Sequence, residues 1–295
     1  MIPDTIHFVF GMKKNFGELR FNYIHYLAVA SAWKVHRPNE IIFHYRYEPS
    51  SKWWRRAKPF LTLNKVDPPN YVFGNPVEHY AHKSDVVRMR QLKEKGGIYL
   101  DMDVITLNSF DELMENKAVL GLQENKNLCN AVMLFESESK FLKEWYKNYE
   151  NFDHKKWDYH SVVLPGKMVE EGKFNVRVED SFSFFYPKWN ESKDILFSEE
   201  IGYSHFRKNF SVGKMVLKLR KNKESAKRYF AHAIPSKKIH KKILEKSYCI
   251  HLWQSQWKDK LSEIDPNYII SRKDNFSLLI KQNMSERLIK GSVSV

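Results

Sequence analysis

Asp101 and Asp103 flank a single residue directly after the apolar run Ile98-Tyr99-Leu100. That position is the carboxyl end of a strand, the edge where open α/β sheets bind ligands. Successive strand side chains point opposite ways, but a chain turning out of the strand can aim both carboxylates, or one carboxylate and a water, at one hard cation. A cation held there bridges diphosphate oxygens and stabilises the charge that develops when a phosphate leaves. Taken alone, Asp-x-Asp also describes two solvated acids in a turn. Asp85 lies sixteen residues upstream, and Arg88 follows it one helical turn later. A carboxylate and a guanidinium on one helical face can hold sugar hydroxyls and offset phosphate charge. Their alternative reading is an ordinary intrahelical ion pair.

Alternating short strands and amphipathic helices must position these groups, which predicts an α/β protein with helices packed on the faces of a sheet. Thr5–Phe10 reads as a buried first strand ended by Gly11, Leu19–His36 as a helix stopped by Pro38, and Ile41–Tyr47 as a strand. A short aromatic helix over Ser51–Phe60 and brief strands at Leu61–Val66 and Tyr71–Phe73 follow. A helix over Val77–Lys95 ends at Gly96-Gly97, where glycine supplies a left-handed cap, and leads into the strand Ile98–Leu100. Lys117–Gln123 and Asn130–Phe135 read as strands and Lys140–Tyr149 as a helix. No assignment is made for Asn151–Ser204; Tyr248–Ile250 reads as a strand and Asn275–Ile289 as a closing helix.

The run Ser84-Asp85, Arg88 and Gly96-Gly97-Ile98-Tyr99-Leu100-Asp101-Met102-Asp103-Val104 resembles the sugar-binding region of glycosyltransferase family 32. The opening Ile2-Pro3-Asp4-Thr5-Ile6-His7-Phe8-Val9-Phe10-Gly11 is similar to the family's first strand, whose end lies beside the nucleotide. The resemblance spans about Ile2 to Phe135 and is thinner beyond. It implies an A-type glycosyltransferase fold, with a single Rossmann-like mixed sheet flanked by helices and a helical basic C-terminal part. It also implies a nucleotide-sugar donor carrying UDP or GDP, Mn²⁺ or Mg²⁺ as cofactor, a glycan or glycolipid acceptor, and transfer with retention of configuration. By position, Asp101 and Asp103 become the metal and diphosphate aspartates, while Asp85 and Arg88 hold the donor sugar. His7, Phe8, Phe10, Tyr99, Met102, Asn130 and Trp253 join Asp85, Arg88 and Asp101 as donor-binding positions.

Several of these positions keep a second reading. Tyr99 faces the nucleotide or belongs to the core strand, and Asn130, in Cys129-Asn130-Ala131, lies beside the sugar or is a turn residue. Relatives carry a His-x-Trp like His251-Leu252-Trp253. By that resemblance His251 completes a metal site with Asp101 and Asp103, where a neutral imidazole favours Mn²⁺ over Mg²⁺, or contacts the diphosphate; otherwise it caps a strand. Trp253 and Trp257 close over the donor or pack on the core. Two rival functions compete: a nucleic-acid-binding protein built on the basic segment and indifferent to Asp101, and a nucleotidyltransferase or nucleotide-sugar hydrolase using the same two aspartates. No Gly-x-Ser-x-Gly elbow, Walker loop or dinucleotide fingerprint occurs, and zinc spacings appear in no persuasive form.

The 295 residues carry 49 Lys and Arg against 35 Asp and Glu, a formal net charge of +14. Fourteen basic and two acidic residues fall between Phe206 and Lys246, so this segment alone carries +12 and the remainder is nearly neutral. That distribution speaks against a general nucleic-acid binder. Val212, Val216, Leu219, Ala226 and Phe230 follow helical spacing with Lys214, Lys218, Lys221 and Arg228 off the stripe, and Ile239 and Ile243 repeat the pattern. The segment is a solvated cationic face or a dock for an anionic membrane. The expected organisation is a nucleotide-sugar-binding core over 1–205, the basic helical segment over 206–246, and a part over 247–295 that returns to the site. Two cysteines, four glycosylation sequons read as coincidence, no signal-peptide pattern and no apolar run long enough to span a bilayer lead us to expect a cytoplasmic protein, peripheral on a membrane if the segment docks.

Overall fold

The computed structural model describes residues 1–14, 20–197 and 239–292. Its strands and helices alternate through the first half as β1 (Thr5–Phe10), α1 (Tyr23–Ser31), β2 (Glu40–Tyr45), α2 (Lys52–Ala57), β3 (Thr62–Lys65), β4 (Tyr71–Val72), β5 (Asn75–Pro76), α3 (Tyr80–Lys95) and β6 (Gly97–Leu100). Then come β7 (Val104–Thr106), β8 (Ala118–Glu124), β9 (Asn127–Phe135), α4 (Lys140–Lys147), α5 (Leu164–Glu170), β10 (Arg177–Glu179), α6 (Ser181–Phe184) and α7 (Ser192–Phe197). Beyond 238 the chain forms a helix at Ile239–Lys246, β11 (Cys249–His251) and four short helices between Lys258 and Ile289.

Seven strands make one sheet in the order β10-β8-β9-β6-β1-β2-β3. β6, β1, β2 and β3 run parallel, whereas β9 is antiparallel to both β6 and β8. The single Rossmann-like mixed sheet flanked by helices, expected for an A-type glycosyltransferase, is therefore present. Strand alternation divides the core into two layers. Ile6, Phe8, Ile98, Leu100, Val132 and Leu134 pack with α1, α2 and the C-terminal helices. Tyr99, Met133, Phe135, Leu120 and Val9 pack with α3, α4 and α5 on the other face.

Several boundaries have local causes. α1 starts only at Tyr23, because Asn22 and His25 form a reciprocal capping box, and it passes into a wider turn over Ala32–His36. Leu19, the expected start, lies outside the described residues, as does the stretch from Val212 to Pro235. α3 begins at Tyr80 rather than Val77 because the His79 imidazole accepts the Ala81 N–H at 3.1 Å and caps the helix. The closing helix is two helices, Asn275–Asn283 and Glu286–Ile289, broken at an extended Met284 and restarted by the Ser285 hydroxyl. Within 151–204, left unassigned from sequence, lie α5, β10, α6 and α7.

Gly96 and Gly97 both take positive φ, +67° and +104°. A Cβ on Gly97 would sit 2.6 Å from the Thr5 carbonyl oxygen and 2.9 Å from His7 Nε2. Glycine is therefore required both for the backbone angle and for the close approach of β6 to β1.

Candidate active site

β1 and β6 are parallel, so Gly11 and Asp101 leave the sheet at the same edge. α3 runs into β6 through Gly96, and its first turn therefore returns to that edge as well. Asp101 to Val104 is a tight turn: the Asp101 N–H donates to the Ala131 carbonyl at 2.9 Å and the Val104 N–H to the Asp101 carbonyl at 3.0 Å. β7 then pairs antiparallel with β11, matching Val104 with His251. This short ladder carries a residue from the far end of the chain to the aspartates.

One ligand atom from each of Asp101, Asp103 and His251 falls within 4.8 Å of the others, and of the three side chains Asp103 and His251 are buried. His251 Nε2 lies 3.2 Å from Asp103 Oδ1, and the Gln254 N–H donates to Asp103 Oδ2 at 2.7 Å. His251 Nδ1 is buried with no hydrogen-bond partner. Two carboxylates and an imidazole in one place fit a divalent cation that accepts mixed oxygen and nitrogen ligands. Burial raises the Asp101 carboxyl above its ordinary range; Arg88 opposes that shift and the charge of Asp103 adds to it. Burial would raise Asp103 too, but the adjacent His251 and the Gln254 N–H outweigh it and hold Asp103 low. Burial works against the His251 cation, yet Asp103 overcomes it and raises the imidazole's pKa. Binding a metal through that ring requires its neutral form, so metal and proton compete there.

Arg88, buried in α3, ties the aspartates to the sugar-side residues. Its Nη1 lies 3.0 Å from Asp101 Oδ1 and donates to the Asn130 carbonyl at 3.0 Å, and its Nη2 lies 3.4 Å from Asp85 Oδ1. Burial disfavours the guanidinium charge, but Asp101, Tyr99 and Asp85 more than compensate, so Arg88 stays ionised. Its guanidinium also lies over the Tyr99 ring, 4.3 Å from the centroid, and the Tyr99 hydroxyl donates to Asp101 Oδ1 at 2.6 Å. Asn130 Nδ2 donates to Asp85 Oδ1 at 2.8 Å. The Asp85–Arg88 pair is thus part of a buried network in which a single guanidinium engages two acids and a backbone carbonyl.

A cleft of about 290 Å³ opens over this network. Of the residues singled out in the sequence, Phe10, Arg88, Asp101, Met102, Asp103 and His251 line it. Asp85, Tyr99 and Asn130 sit behind Arg88 and Asp101 and hold them. His7 is fully buried between the His44 ring, whose Nε2 is 2.9 Å from His7 Nδ1, and the Gly96 carbonyl at 3.0 Å. Phe8 is buried in the opposite core layer. Trp253 donates its indole N–H to the Pro187 carbonyl at 3.0 Å and packs against the His251 ring, with centroids 4.1 Å apart. Trp257 donates to Ser192 Oγ at 2.9 Å on α7. Both tryptophans pack inward, the core alternative of the two readings.

Sequence reasoning missed Lys13, His25, His79, Trp157, Gln254 and Ser255, which also line the cleft. Gln254 and Ser255 follow the His-Leu-Trp signature directly and were within its reach. His25 is fixed by Gln254 Oε1 at 2.9 Å, and burial lowers its pKa to about 4. Trp157 belongs to the segment that offered no readable pattern. Cys129 lies close by, but burial pushes its thiol up to about 12, so it is protonated and no nucleophile.

Residues 41–120, which include Asp85, Arg88, Asp101 and Asp103, match the family described as glycosyltransferase sugar-binding region containing DXD motif. The chain carries that region, and the resemblance read from the sequence is borne out. Glucan organizing enzyme 1 of Cryptococcus neoformans var. grubii is 29% identical over 295 residues, covering 95% of this chain and 70% of that protein. An uncharacterized protein of Arabidopsis thaliana is 36% identical over 100 residues, 32% of this chain and 16% of that protein. Among solved structures, the apo form of the glycosyltransferase GlyE from Streptococcus pneumoniae is 11% identical, with a TM-score of 0.48 over 98% of this chain and 62% of that one.

Proposed function

We propose that this chain, bearing a glycosyltransferase sugar-binding region, transfers a hexose from a UDP- or GDP-sugar to a hydroxyl of a glycan or glycolipid with retention of configuration. The observation that carries this reading is the convergence of Asp101, Asp103 and His251 on one point, with ionised Arg88 3.0 Å from Asp101. Asp101, Asp103 and His251 would hold Mn²⁺ or Mg²⁺, and the bound cation would neutralise charge on a leaving diphosphate. Arg88 contributes fixed positive charge at the same edge, pre-oriented by Asp85 and Asn130, so little reorganisation is needed as charge develops. Arg88 flanks the position for the donor sugar from the cleft wall, and Asp85, held by Asn130, backs it. Among the described residues, Asp101 and Asp103 are the carboxylates that line the cleft, and the reading uses both for the cation. The reading therefore has the acceptor attack on the face the diphosphate leaves, with a phosphate oxygen taking the acceptor proton. The cryptococcal relative's name makes a glucan the first acceptor to test.

The organisation we propose is a donor-binding core over 1–205, a basic segment over 206–246, and a C-terminal part that returns His251 to the site. Peripheral docking on an anionic membrane from the cytoplasmic side fits the charge of that segment. Of it, the structure describes the helix Ile239–Lys246, which buries Ile239 and Ile243 and leaves Lys241 exposed. None of the helices among the described residues is long and apolar enough to cross a membrane.

The test incubates the protein with Mn²⁺ and a panel of UDP- and GDP-hexoses, with and without oligosaccharide acceptors, and follows nucleotide release and sugar transfer. Release from one donor, lost on Asp101→Asn and on Asp103→Asn, supports the proposal. Turnover of no donor, or full turnover by both variants, overturns it.

A further inference from the structure

Six large apolar side chains are exposed among the described residues: Met1, Tyr47, Tyr71, Phe73, Trp157 and Trp189. Only Trp157 lines the cleft over the aspartates, and it is 60% exposed. The indole is nevertheless held in place. Its centroid lies 4.8 Å from that of His79 in an edge-on arrangement and 5.2 Å from that of His82, and its carbonyl oxygen is 3.1 Å from His82 Nε2. His79 is fixed in turn: its Nδ1 accepts the Ala81 N–H, and its ring lies on Tyr80 with centroids 4.3 Å apart. With Nδ1 an acceptor, the neutral ring carries its proton on Nε2 and has a donor left to offer. Burial, then His82 and Lys13, hold its pKa below the ordinary histidine value, which favours that neutral form.

This cluster stands at the first turn of α3, ahead of Ser84, Asp85 and Arg88 on the same helix. Six to nine residues separate His79 from Asp85 and Arg88, about 9–14 Å at the helical rise. A donor sugar beside Arg88 therefore leaves room along α3 for a second ring before the cleft opens to solvent. An exposed indole face held rigid, with the His79 imidazole beside it and Tyr80 in the same cleft lining, matches a pyranose ring, which offers a C–H face for stacking and hydroxyls at its rim.

We propose that Trp157, with His79 and Tyr80, forms the acceptor subsite and stacks the sugar ring whose hydroxyl is to be glycosylated. The proposal rests on the transferase reading above and assigns its second substrate. Trp157 is a binding and specificity-determining residue in this scheme and takes no part in bond making.

The experiment compares Trp157→Ala and Trp157→Phe with wild type, using manno-, malto- and laminari-oligosaccharides as acceptor probes and the nucleotide sugar found active in the donor panel. Three quantities are measured: acceptor KM, donor KM, and donor hydrolysis without acceptor. Saturation-transfer NMR of the oligosaccharides on each protein, without donor, gives a readout independent of turnover. We expect Trp157→Ala to raise acceptor KM roughly tenfold and to weaken the NMR signal of the same oligosaccharide. Donor KM and acceptor-free hydrolysis stay within about twofold of wild type, and Trp157→Phe recovers most of the loss. An unchanged acceptor KM overturns the proposal, and so does a parallel rise in donor KM, which would place the ring on the nucleobase. If wild type cleaves no donor while Trp157→Ala still abolishes oligosaccharide binding, the transferase reading fails and the sugar platform stands. Because the indole is mostly solvent-exposed, neither substitution removes core packing, and an unchanged thermal midpoint verifies this.

Discussion

Replacing Arg88 by methionine removes the charge that joins the two halves of the candidate site while keeping most of the side chain's volume. In wild type the buried guanidinium contacts the partly exposed Asp101 at 3.0 Å, the buried Asp85 at 3.4 Å and the Asn130 carbonyl at 3.0 Å. Removing one partner of a buried ion pair costs about 3–5 kcal/mol, because the other charge stays desolvated and uncompensated. Losing the donor to a buried carbonyl costs about 1–3 kcal/mol. These contacts share one side chain and are not additive, so we expect about 4 kcal/mol in total. Arg88→Lys keeps the charge but cannot serve three acceptors with a planar fork, and about half that loss is expected, roughly 2 kcal/mol. The assay is urea unfolding of metal-free protein in EDTA at neutral pH, followed by far-ultraviolet circular dichroism and by tryptophan fluorescence. Coincident transitions are needed before a midpoint is converted to free energy. A loss under 1 kcal/mol for Arg88→Met would refute the reasoning, since the network would then not depend on its cation. Equal losses for Met and Lys would refute the role of the planar fork.

Gly97→Ala places a methyl 2.6 Å from the Thr5 carbonyl oxygen at a φ of +104°, and we expect at least about 3 kcal/mol of destabilisation in the same unfolding assay. Burial lowers His7 to about 4 and His44 to about 3, so between pH 6.5 and about 4 the unfolded chain binds more protons than the folded one. Stability therefore falls as pH drops through that window, by about 3 kcal/mol for His7 alone, and urea midpoints that do not move between pH 7 and pH 5 would contradict this. Tyr99→Phe deletes the hydroxyl that donates to Asp101 at 2.6 Å and should weaken Mn²⁺ binding roughly tenfold to a hundredfold by electron paramagnetic resonance titration; unchanged affinity would show that Asp101 needs no such support.

The parts of the fold that were legible are those whose signal is local. β1 is a run of six residues closed by a glycine, and its expected limits match those observed, Thr5–Phe10. α3 was recognisable from its periodicity and its two terminal glycines, but its start was not, because a histidine cap carries none of the usual Ser, Thr or Asp signal. Helix spacing paired Asp85 with Arg88 and strand polarity put Asp101 and Asp103 at a strand end, while the resemblance to a known family implied that the four share one site. The roles of Tyr99 and Asn130 stayed open, because each depends on which face of β6 or β9 meets α3. Trp157 escaped notice for a different reason. Its segment is ordered by contacts with His79 and His82, on a distant element, and no periodicity within residues 151–163 encodes that.

The two-stranded ladder of β7 and β11 joins positions 104 and 251 of the chain. Closing a loop of that length costs about 4 kcal/mol of chain entropy, which falls on the unligated protein and is offset by the buried segment that follows β6. During synthesis, every residue up to Lys246 can leave the ribosome while the cation site still lacks its imidazole. A nascent or truncated chain that stops short of His251 thus displays two aspartates without a complete site. Competence for the reaction proposed here is acquired late, when the returning strand zips onto β7, and it arrives together with the packing of the C-terminal helices against the sheet.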